Sequence, residues 1–190
     1  MSEIRPAIVV SRCLMGEAVR YDGSHKHAPE IIAALTSRFA LIPVCPEVEA
    51  GMPTPRETMD FQGDPRRPAV IGKISRRDFA PLLHDWSRAK LAALAGLSEL
   101  AVCGFFLKFN SPSCAAVTRK PVFDLYGRPR GETFGIFAGL AMRAFPGAAF
   151  GDEFSLAAPQ GMERFMALAQ ARIQAKVQEY HHRATQESAP

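Results

Sequence analysis

The fold is decided by the stretch LAVCGFFLKFNSPSC, residues 100–114, in which an apolar run stops at a short polar turn that ends in Cys114. Residues 100–107 have the length and apolar character of a buried strand, and residues 111–114 form the turn beyond its carboxyl end. In open α/β sheets, ligands bind in the crevice outside the carboxyl ends of the strands. The stretch therefore predicts a buried strand with a thiol at the ligand-binding edge of its sheet.

Two further apolar runs lead to a cysteine in the same way. Residues 7–10 are followed within three positions by Cys13, and residues 41–44 lead directly into Cys45. Each run is short enough for a strand, so each cysteine is expected just beyond a strand end. Three strand ends that each carry one thiol form a stronger pattern than any one of them alone.

The order of the remaining elements sets the fold class. Apolar residues recur at helical spacing after Pro29, over 78–94, over 136–145 and from residue 159 onward. Because helices alternate with strands, we expect an α/β protein, a three-layer α/β/α sandwich with a mostly parallel sheet. We expect residues 1–158 to form one domain, with the helix and tail of 159–190 packed on it.

Three local features complete the expected outline. Residues 61–68 are typical of an exposed excursion, and residues 69–71 of a short edge strand. Residues 121–135 are rich in turn formers and predict a hairpin or a lid. In the strand over 100–107, alternation places Cys103 on the same face as Phe105, as a small buried hydrophobe outside the site.

Composition and charge exclude several classes of protein. The chain has 190 residues, of which 47% are hydrophobic, so it can bury one core of ordinary size. No apolar stretch of 18 residues occurs and no signal-peptide pattern opens the chain, so we expect a cytoplasmic protein with no membrane partner. The net charge of +4 is spread along the chain without a basic stripe, which argues against nucleic-acid binding. The sequence does not set the oligomeric state.

The cysteines are expected to be reduced thiols in such a protein. Cys13, Cys45 and Cys114 are 32 and 69 residues apart, so no CxxC spacing supports a zinc ribbon or a redox disulfide. If the fold brings them together, three thiolates without a fourth protein ligand describe a metal centre with one open coordination position. All-sulfur ligation favours an iron–sulfur cluster or zinc over a hard cation.

Three motifs surround these cysteines in a fixed order. They are Cys13-Leu14-x-Gly16 with Tyr21-Asp22-Gly23, then Cys45-Pro46-Glu47 with Gly51-Met52-Pro53-Thr54-Pro55-Arg56, then Leu107-Lys108 leading into Ser111-Pro112-Ser113-Cys114. With these motifs, the chain over residues 7–155 resembles the small bacterial domain family that includes the thiouracil desulfidases. The resemblance implies an oxygen-sensitive [4Fe-4S] cluster on Cys13, Cys45 and Cys114, and a non-redox removal of sulfur from a small thiolated pyrimidine.

The resemblance also implies that Glu47 and a serine of the turn over 111–114 act on the substrate. Glu47 follows a ligand by two residues and is the candidate general base toward water. Ser111 is the favoured serine, able to hydrogen-bond the ring or relay a proton, while Ser113 contacts the substrate or orients the adjacent sulfur. Asp22 is a candidate for holding a ring N–H. Arg56 is a candidate for binding a carbonyl or for pairing with Glu47.

Three other functions stay open on the residues alone. A cysteine-persulfide sulfurtransferase would use one thiolate as nucleophile and no metal. A zinc-stabilised interaction or nucleic-acid module is the non-enzymatic alternative, and only the excess of basic residues suggests it. The third is a cluster-containing domain that serves a larger assembly as a sensor or a sulfur donor.

Overall fold

The computed structural model describes residues 5–97 and 100–187, with side chains described as far as residue 178. The strands in these ranges are β1 (Arg5–Ser11), β2 (Ala40–Val44), β3 (Met59–Gln62), β4 (Ala69–Gly72), β5 (Leu100–Phe106), β6 (Lys120–Phe123), β7 (Pro129–Thr133) and β8 (Ala149–Gly151). The helices are α1 (Pro29–Thr36), α2 (Pro46–Glu49), α3 (Ala80–Ala95), α4 (Ile136–Ala144), α5 (Glu153–Ala157) and α6 (Gly161–Glu187), with a 3-10 turn at Arg12–Met15.

The central sheet has the strand order β2-β1-β5-β8, and all of its pairings are parallel. The three longer strands are those that the apolar runs of the sequence predict. Because the strands are parallel, their carboxyl ends lie at one edge of the sheet. The segments that carry Cys13, Cys45 and Cys114 all leave the sheet at that edge.

Helices cover both faces of the central sheet. On one face, Ile8 and Val10 of β1 pack with Leu35 of α1 and with Phe165 of α6. On the other face, a second cluster joins β1, β2 and β5 to α3 and α4, through residues that include Val9, Val44, Leu91, Phe105 and Phe137. The chain therefore forms a three-layer α/β/α sandwich, as predicted. Full burial of each large apolar side chain contributes about 1.5–3 kcal/mol.

The long carboxyl-terminal helix α6 is part of this packing. Phe165 and Ala169 are almost fully buried against the central sheet. Gly104 of β5 makes the close approach possible, since a Cβ atom there would lie 3.0 Å from Phe165 Cζ and 2.8 Å from Ile8 Cδ1. In the described ranges, no helix combines the length and apolar character needed to cross a membrane.

A second sheet, in the order β4-β3-β6-β7, is mixed. β3 and β4 pair antiparallel, β6 and β7 form an antiparallel hairpin, and β3 joins β6 in parallel. The predicted hairpin over 121–135 and the edge strand over 69–71 are confirmed. The prediction of an exposed segment over 61–68 is wrong at its start. Phe61 lies in β3 and is fully buried among Met59, Val70 and Val122.

A β-bulge at Cys103 overturns the predicted face of that residue. Ala7 pairs with Val102 and Ile8 pairs with Gly104, so Cys103 is an extra residue opposite β1. Its side chain joins the cluster of Ile8, while Phe105 joins the cluster on the opposite face of the sheet. Cys103 is fully buried, as predicted, and its thiol donates to the carbonyl oxygen of Ala7 at 3.3 Å.

Candidate active site

A cavity of about 640 Å³ opens at the carboxyl edge of the central sheet. Its wall includes the segments that follow β1, β2 and β5, together with residues of the second sheet such as Asp60 and Lys120. Cys13, Cys45 and Cys114 all line it. The fold thus brings together the three thiols that a shared metal centre would require.

Local hydrogen bonds fix the first two cysteines. Cys13 lies in the 3-10 turn, and its carbonyl oxygen accepts the backbone N–H of Lys26 at 2.9 Å. Cys45 precedes α2, where Pro46 occupies the first helical position. The backbone N–H of Cys45 donates to the Glu49 carboxylate at 2.8 Å, and the same carboxylate pairs with Lys90 at 3.0 Å.

Cys114 is fixed by the turn that carries it. The hydroxyl oxygen of Ser111 accepts the backbone N–H groups of Ser113 and Cys114, each at 3.1 Å. The turn also rests on the start of α4, since the N–H of Ala138 donates to the carbonyl of Ser113 at 3.2 Å. Gly135 allows this contact, because a Cβ atom there would lie 2.5 Å from the Ser113 carbonyl carbon.

Burial makes the three thiols hard to ionise on their own. It raises the pKa of Cys13 to about 12, and the neighbouring Cys45 adds to the effect. Burial likewise raises the pKa of Cys45 and of Cys114. The negative charges of the other two thiolates raise the pKa of Cys114 further. Thiolates that share such an enclosure need a compensating cation, which a bound metal centre supplies.

The donor set fits an iron–sulfur cluster in number and kind. In the described part of the chain, no three His, Cys, Asp or Glu side chains are arranged to hold a single metal ion. A cluster makes a different demand, because each of its thiolates binds a different iron atom. Three thiols from three strand ends around one cavity, those of Cys13 and Cys114 buried and that of Cys45 half-buried, meet that demand.

Glu47 is the most buried of the carboxylates that line the cavity. It lies in α2, is 8% exposed, and one of its oxygens accepts the hydroxyl of Ser113 at 2.9 Å. Its other oxygen accepts a hydrogen bond from Arg56 Nε at 2.7 Å and lies 2.6 Å from Arg56 Nη2 in a salt bridge. Arg56 also donates to the carbonyl of Val19 at 3.0 Å. Of the two predicted roles for Arg56, the structure contains the pairing with Glu47.

The structure separates the remaining candidate residues. Ser111 lines the cavity, whereas Ser113 is fully buried behind Glu47 and is not part of the lining. Asp22 is exposed, and its carboxylate accepts bonds from Ser24 and from Arg20. It is not part of the cavity lining either, so the structure does not bring Asp22 to the other site residues.

Comparisons with known proteins show which family this chain belongs to. The sequence model of the family described as 2-thiouracil desulfurase matches residues 8–153. The chain belongs to this family. The uncharacterized protein YbbK of Bacillus subtilis is 33% identical to this 2-thiouracil desulfurase family member over 111 residues, which is 57% of this chain and 73% of YbbK. The solved structure of the [4Fe-4S]-dependent thiouracil desulfidase TudS is 29% identical, with a TM-score of 0.62, over 80% of this chain and 93% of that one.

This 2-thiouracil desulfurase family member has cavity residues that sequence reasoning missed. Glu153, the first residue of α5, forms an ion pair with Lys108 and accepts the backbone N–H of Phe109 at 3.0 Å. Phe109 and Phe154 line the cavity beside this pair. Lys108 belongs to the third of the cysteine motifs, and its residue type alone does not indicate this ion pair. No local signal marks Glu153 or Phe154, because only the parallel sheet brings the end of β8 to the same edge.

Proposed function

We propose that this protein is a [4Fe-4S]-dependent desulfidase that removes sulfur from a thiolated pyrimidine, or a related thiocarbonyl compound, by hydrolysis. The observation that carries the proposal is the convergence of Cys13, Cys45 and Cys114 on one cavity that also presents Glu47. The similarity to TudS, which is named as a [4Fe-4S]-dependent thiouracil desulfidase, supports both the cofactor and the substrate class. We place the enzyme in the cytoplasm.

Cys13, Cys45 and Cys114 are the residues that would hold the cluster. When bound, a cluster with three protein thiolates supplies an iron atom without a protein ligand, a Lewis acid suited to soft sulfur. Two of the three cysteines would hold the cluster away from bulk water, since Cys13 and Cys114 are 7% and 5% exposed. Polar contacts made beside such buried groups are stronger than the same contacts in water.

Glu47 is the proposed general base. In the overall reaction, a water oxygen forms a bond to the carbon that carries sulfur, the C–S bond breaks, and sulfur leaves as hydrosulfide without electron transfer. Glu47 takes one proton of the attacking water, and the other proton of that water leaves with the sulfur as hydrosulfide. The salt bridge to Arg56 and the bond from Ser113 hold the carboxylate in one orientation, so little reorganisation is needed when the proton moves.

Ser111 is proposed to donate a hydrogen bond to the substrate. A serine hydroxyl has one donor and two acceptor lone pairs. The Ser111 oxygen already accepts two backbone N–H groups, those of Ser113 and Cys114. Only its O–H remains for the cavity, so Ser111 can donate to a ring acceptor or to the departing sulfur but is poorly placed to act as a base. Ser113 and Arg56 act through Glu47.

Anaerobically purified protein tests the proposal directly. We expect the absorbance of a [4Fe-4S] cluster, about four iron and four sulfide per chain, and stoichiometric sulfide and uracil release from 2-thiouracil without a reductant. A colourless, metal-free protein that takes sulfur onto a cysteine would contradict the proposal and favour the persulfide sulfurtransferase. A cluster-bearing protein without turnover would favour the sensor or sulfur-donor alternative.

A further inference from the structure

The proposed chemistry leaves an aromatic wall of the cavity unused. Phe109, just after β5, and Phe154, in α5, both line the cavity. Their ring centroids are 4.9 Å apart at an interplanar angle of 75°, an edge-to-face contact. Phe154 is 63% exposed. A large ring that stays open to a cavity offers an apolar face to whatever the cavity binds.

Exposure alone would not single out Phe154, since scattered exposed apolar residues are ordinary on protein surfaces. Its position does. Of the large apolar side chains that are exposed in the described ranges, only Tyr21 and Phe154 line the cavity. The Tyr21 ring already has the guanidinium of Arg20 at 5.3 Å from its centroid. Phe154 is therefore the more available of the two rings.

The wall is held rigid by contacts to its backbone. The Lys108 ammonium donates to the carbonyl of Phe109 at 3.0 Å, and Glu153 accepts the N–H of Phe109 at 3.0 Å. Lys108 and Glu153 also pair with each other. On the other side, the Asp152 carboxylate caps α5 and accepts the N–H of Phe154 at 3.1 Å. A surface fixed before binding loses little conformational entropy when a ligand arrives.

We infer that Phe154, backed by Phe109, binds the face of the substrate's heteroaromatic ring and so makes the enzyme selective for cyclic thiocarbonyl compounds. The inference rests on the proposed function and names the group that recognises its substrate. Aromatic side chains bind bases by stacking on the π-face, which does not depend on the ring substituents.

Equilibrium binding to the cluster-loaded protein tests the inference without relying on turnover. Under anaerobic conditions and in the Glu47→Gln background, in which the substrate is turned over about 10²-fold more slowly, calorimetric titration measures the affinity for 2-thiouracil and for uracil, which has the same ring without sulfur. We expect Phe154→Ala to weaken both ligands by about tenfold or more, the scale of losing one stacked base. Phe154→Tyr keeps the ring and should retain the affinity. In steady state, Phe154→Ala should raise KM with kcat nearly unchanged.

Two matched variants sharpen the test. Tyr126→Ala removes an aromatic ring that is 84% exposed outside the cavity, and it should leave both affinities unchanged. Phe154→Leu keeps an apolar side chain but removes the π-face, and it should bind nearly as weakly as Phe154→Ala. An affinity restored by leucine would overturn ring recognition. For thiourea, an acyclic thiocarbonyl, Phe154→Ala should change binding less than twofold.

The outcomes separate this inference from the proposed function. If the wild-type protein binds 2-thiouracil but releases no sulfide, the proposed function fails while the ring-binding role of Phe154 is still measured. If Phe154→Ala binds 2-thiouracil as tightly as the wild type, the inference is overturned and the proposed function stands. If the wild-type protein does not bind 2-thiouracil or uracil, the inference is overturned as well.

Discussion

Cys103 differs from the other three cysteines in its surroundings rather than in its chemistry. It lies in the middle of β5, inside the bulge, with its thiol bonded to the carbonyl of Ala7. Cys13, Cys45 and Cys114 instead face the cavity beyond the strand ends. The same residue type is thus a core side chain in one place and a candidate metal ligand in the others.

Serine substitutions test this division. Serine matches cysteine in size but is a much poorer ligand for iron, so Cys13→Ser, Cys45→Ser and Cys114→Ser should each remove the cluster absorbance and most of the bound iron. Cys103→Ser is the control and should retain both. Iron content and the visible spectrum after anaerobic reconstitution measure the result. Equal loss in all four variants, or in none, would contradict the ligand assignment.

The Glu47 carboxylate should be needed for turnover but not for cluster assembly. Glu47→Gln cannot accept a proton, so we expect the cluster to remain while kcat falls by about 10²-fold or more. The substitution also breaks the buried pair with Arg56, whose side chain is 5% exposed, so thermal stability must be measured beside activity.

Arg56→Gln separates the two effects of changing Glu47. It breaks the same ion pair but keeps the carboxylate, so it should retain more activity than Glu47→Gln at a similar loss of stability. An equal fall in kcat in the two variants would mean that the ion pair maintains the structure of the site and that the Glu47 carboxylate has no separate role as a base. An active Glu47→Gln enzyme would rule out Glu47 as the base.

At the scale of elements, the turn over 111–114 depends on the start of α4. Gly135→Ala would place a Cβ atom 2.5 Å from the backbone of Ser113 and 2.7 Å from the nitrogen of Ala115. Backbone cannot yield as a flexible side chain does, so we expect a loss of about 1–3 kcal/mol in unfolding free energy and a lower cluster content. Thermal denaturation and iron analysis measure both.

Gly139→Ala, inside α4, is the control for Gly135→Ala, which lies just before that helix. Its nearest neighbour would be the Cβ of Phe134 at 3.6 Å, an ordinary van der Waals distance. Replacing glycine by alanine inside a helix should therefore leave the stability unchanged or raise it by about 0.5–1 kcal/mol. If Gly135→Ala behaved like Gly139→Ala, the turn would not depend on close contact with α4.

The elements that local sequence determines are the ones that could be predicted. The runs that became β1, β2 and β5 are apolar by themselves, so their ends and the cysteines beyond them could be located. The bulge at Cys103 could not, because it arises from the register between β5 and β1. β3 has only four residues, and its partners β4 and β6 complete its burial. Glu153 reaches the cavity only through the sheet topology.

At the scale of the whole molecule, the candidate cluster site joins segments that lie far apart in the chain. Cys13, Cys45 and Cys114 follow three different strands, so a bound cluster would link all three. A ligand that binds only the folded state stabilises it, by about 4 kcal/mol at 1,000 times its Kd. In a protein of this size that corresponds to a rise of roughly 10 °C in Tm.

Removal of the cluster should therefore lower the Tm of the wild-type protein. We expect treatment with oxidant and chelator, followed by their removal, to lower it by several degrees, and anaerobic reconstitution to restore it. Cys114→Ser is the control, since a protein that cannot hold the cluster should show the same Tm before and after treatment. An unchanged wild-type Tm would mean that the cluster does not link the three segments.

The origin of the product oxygen decides between hydrolysis and sulfur transfer to the protein. Glu47 can take a proton from water and Ser111 can donate to the substrate, but neither group supplies electrons. Reaction of 2-thiouracil in oxygen-18 water, with reconstituted protein and no reductant, should yield uracil with one labelled oxygen at the carbon that lost sulfur. One hydrosulfide should appear for each substrate consumed. A persulfide on a cysteine forms only if the substrate carbon keeps the electron pair of the C–S bond, which gives a product without the labelled oxygen. That product together with a persulfide, or a strict requirement for a reductant, would contradict hydrolysis and favour the sulfurtransferase alternative.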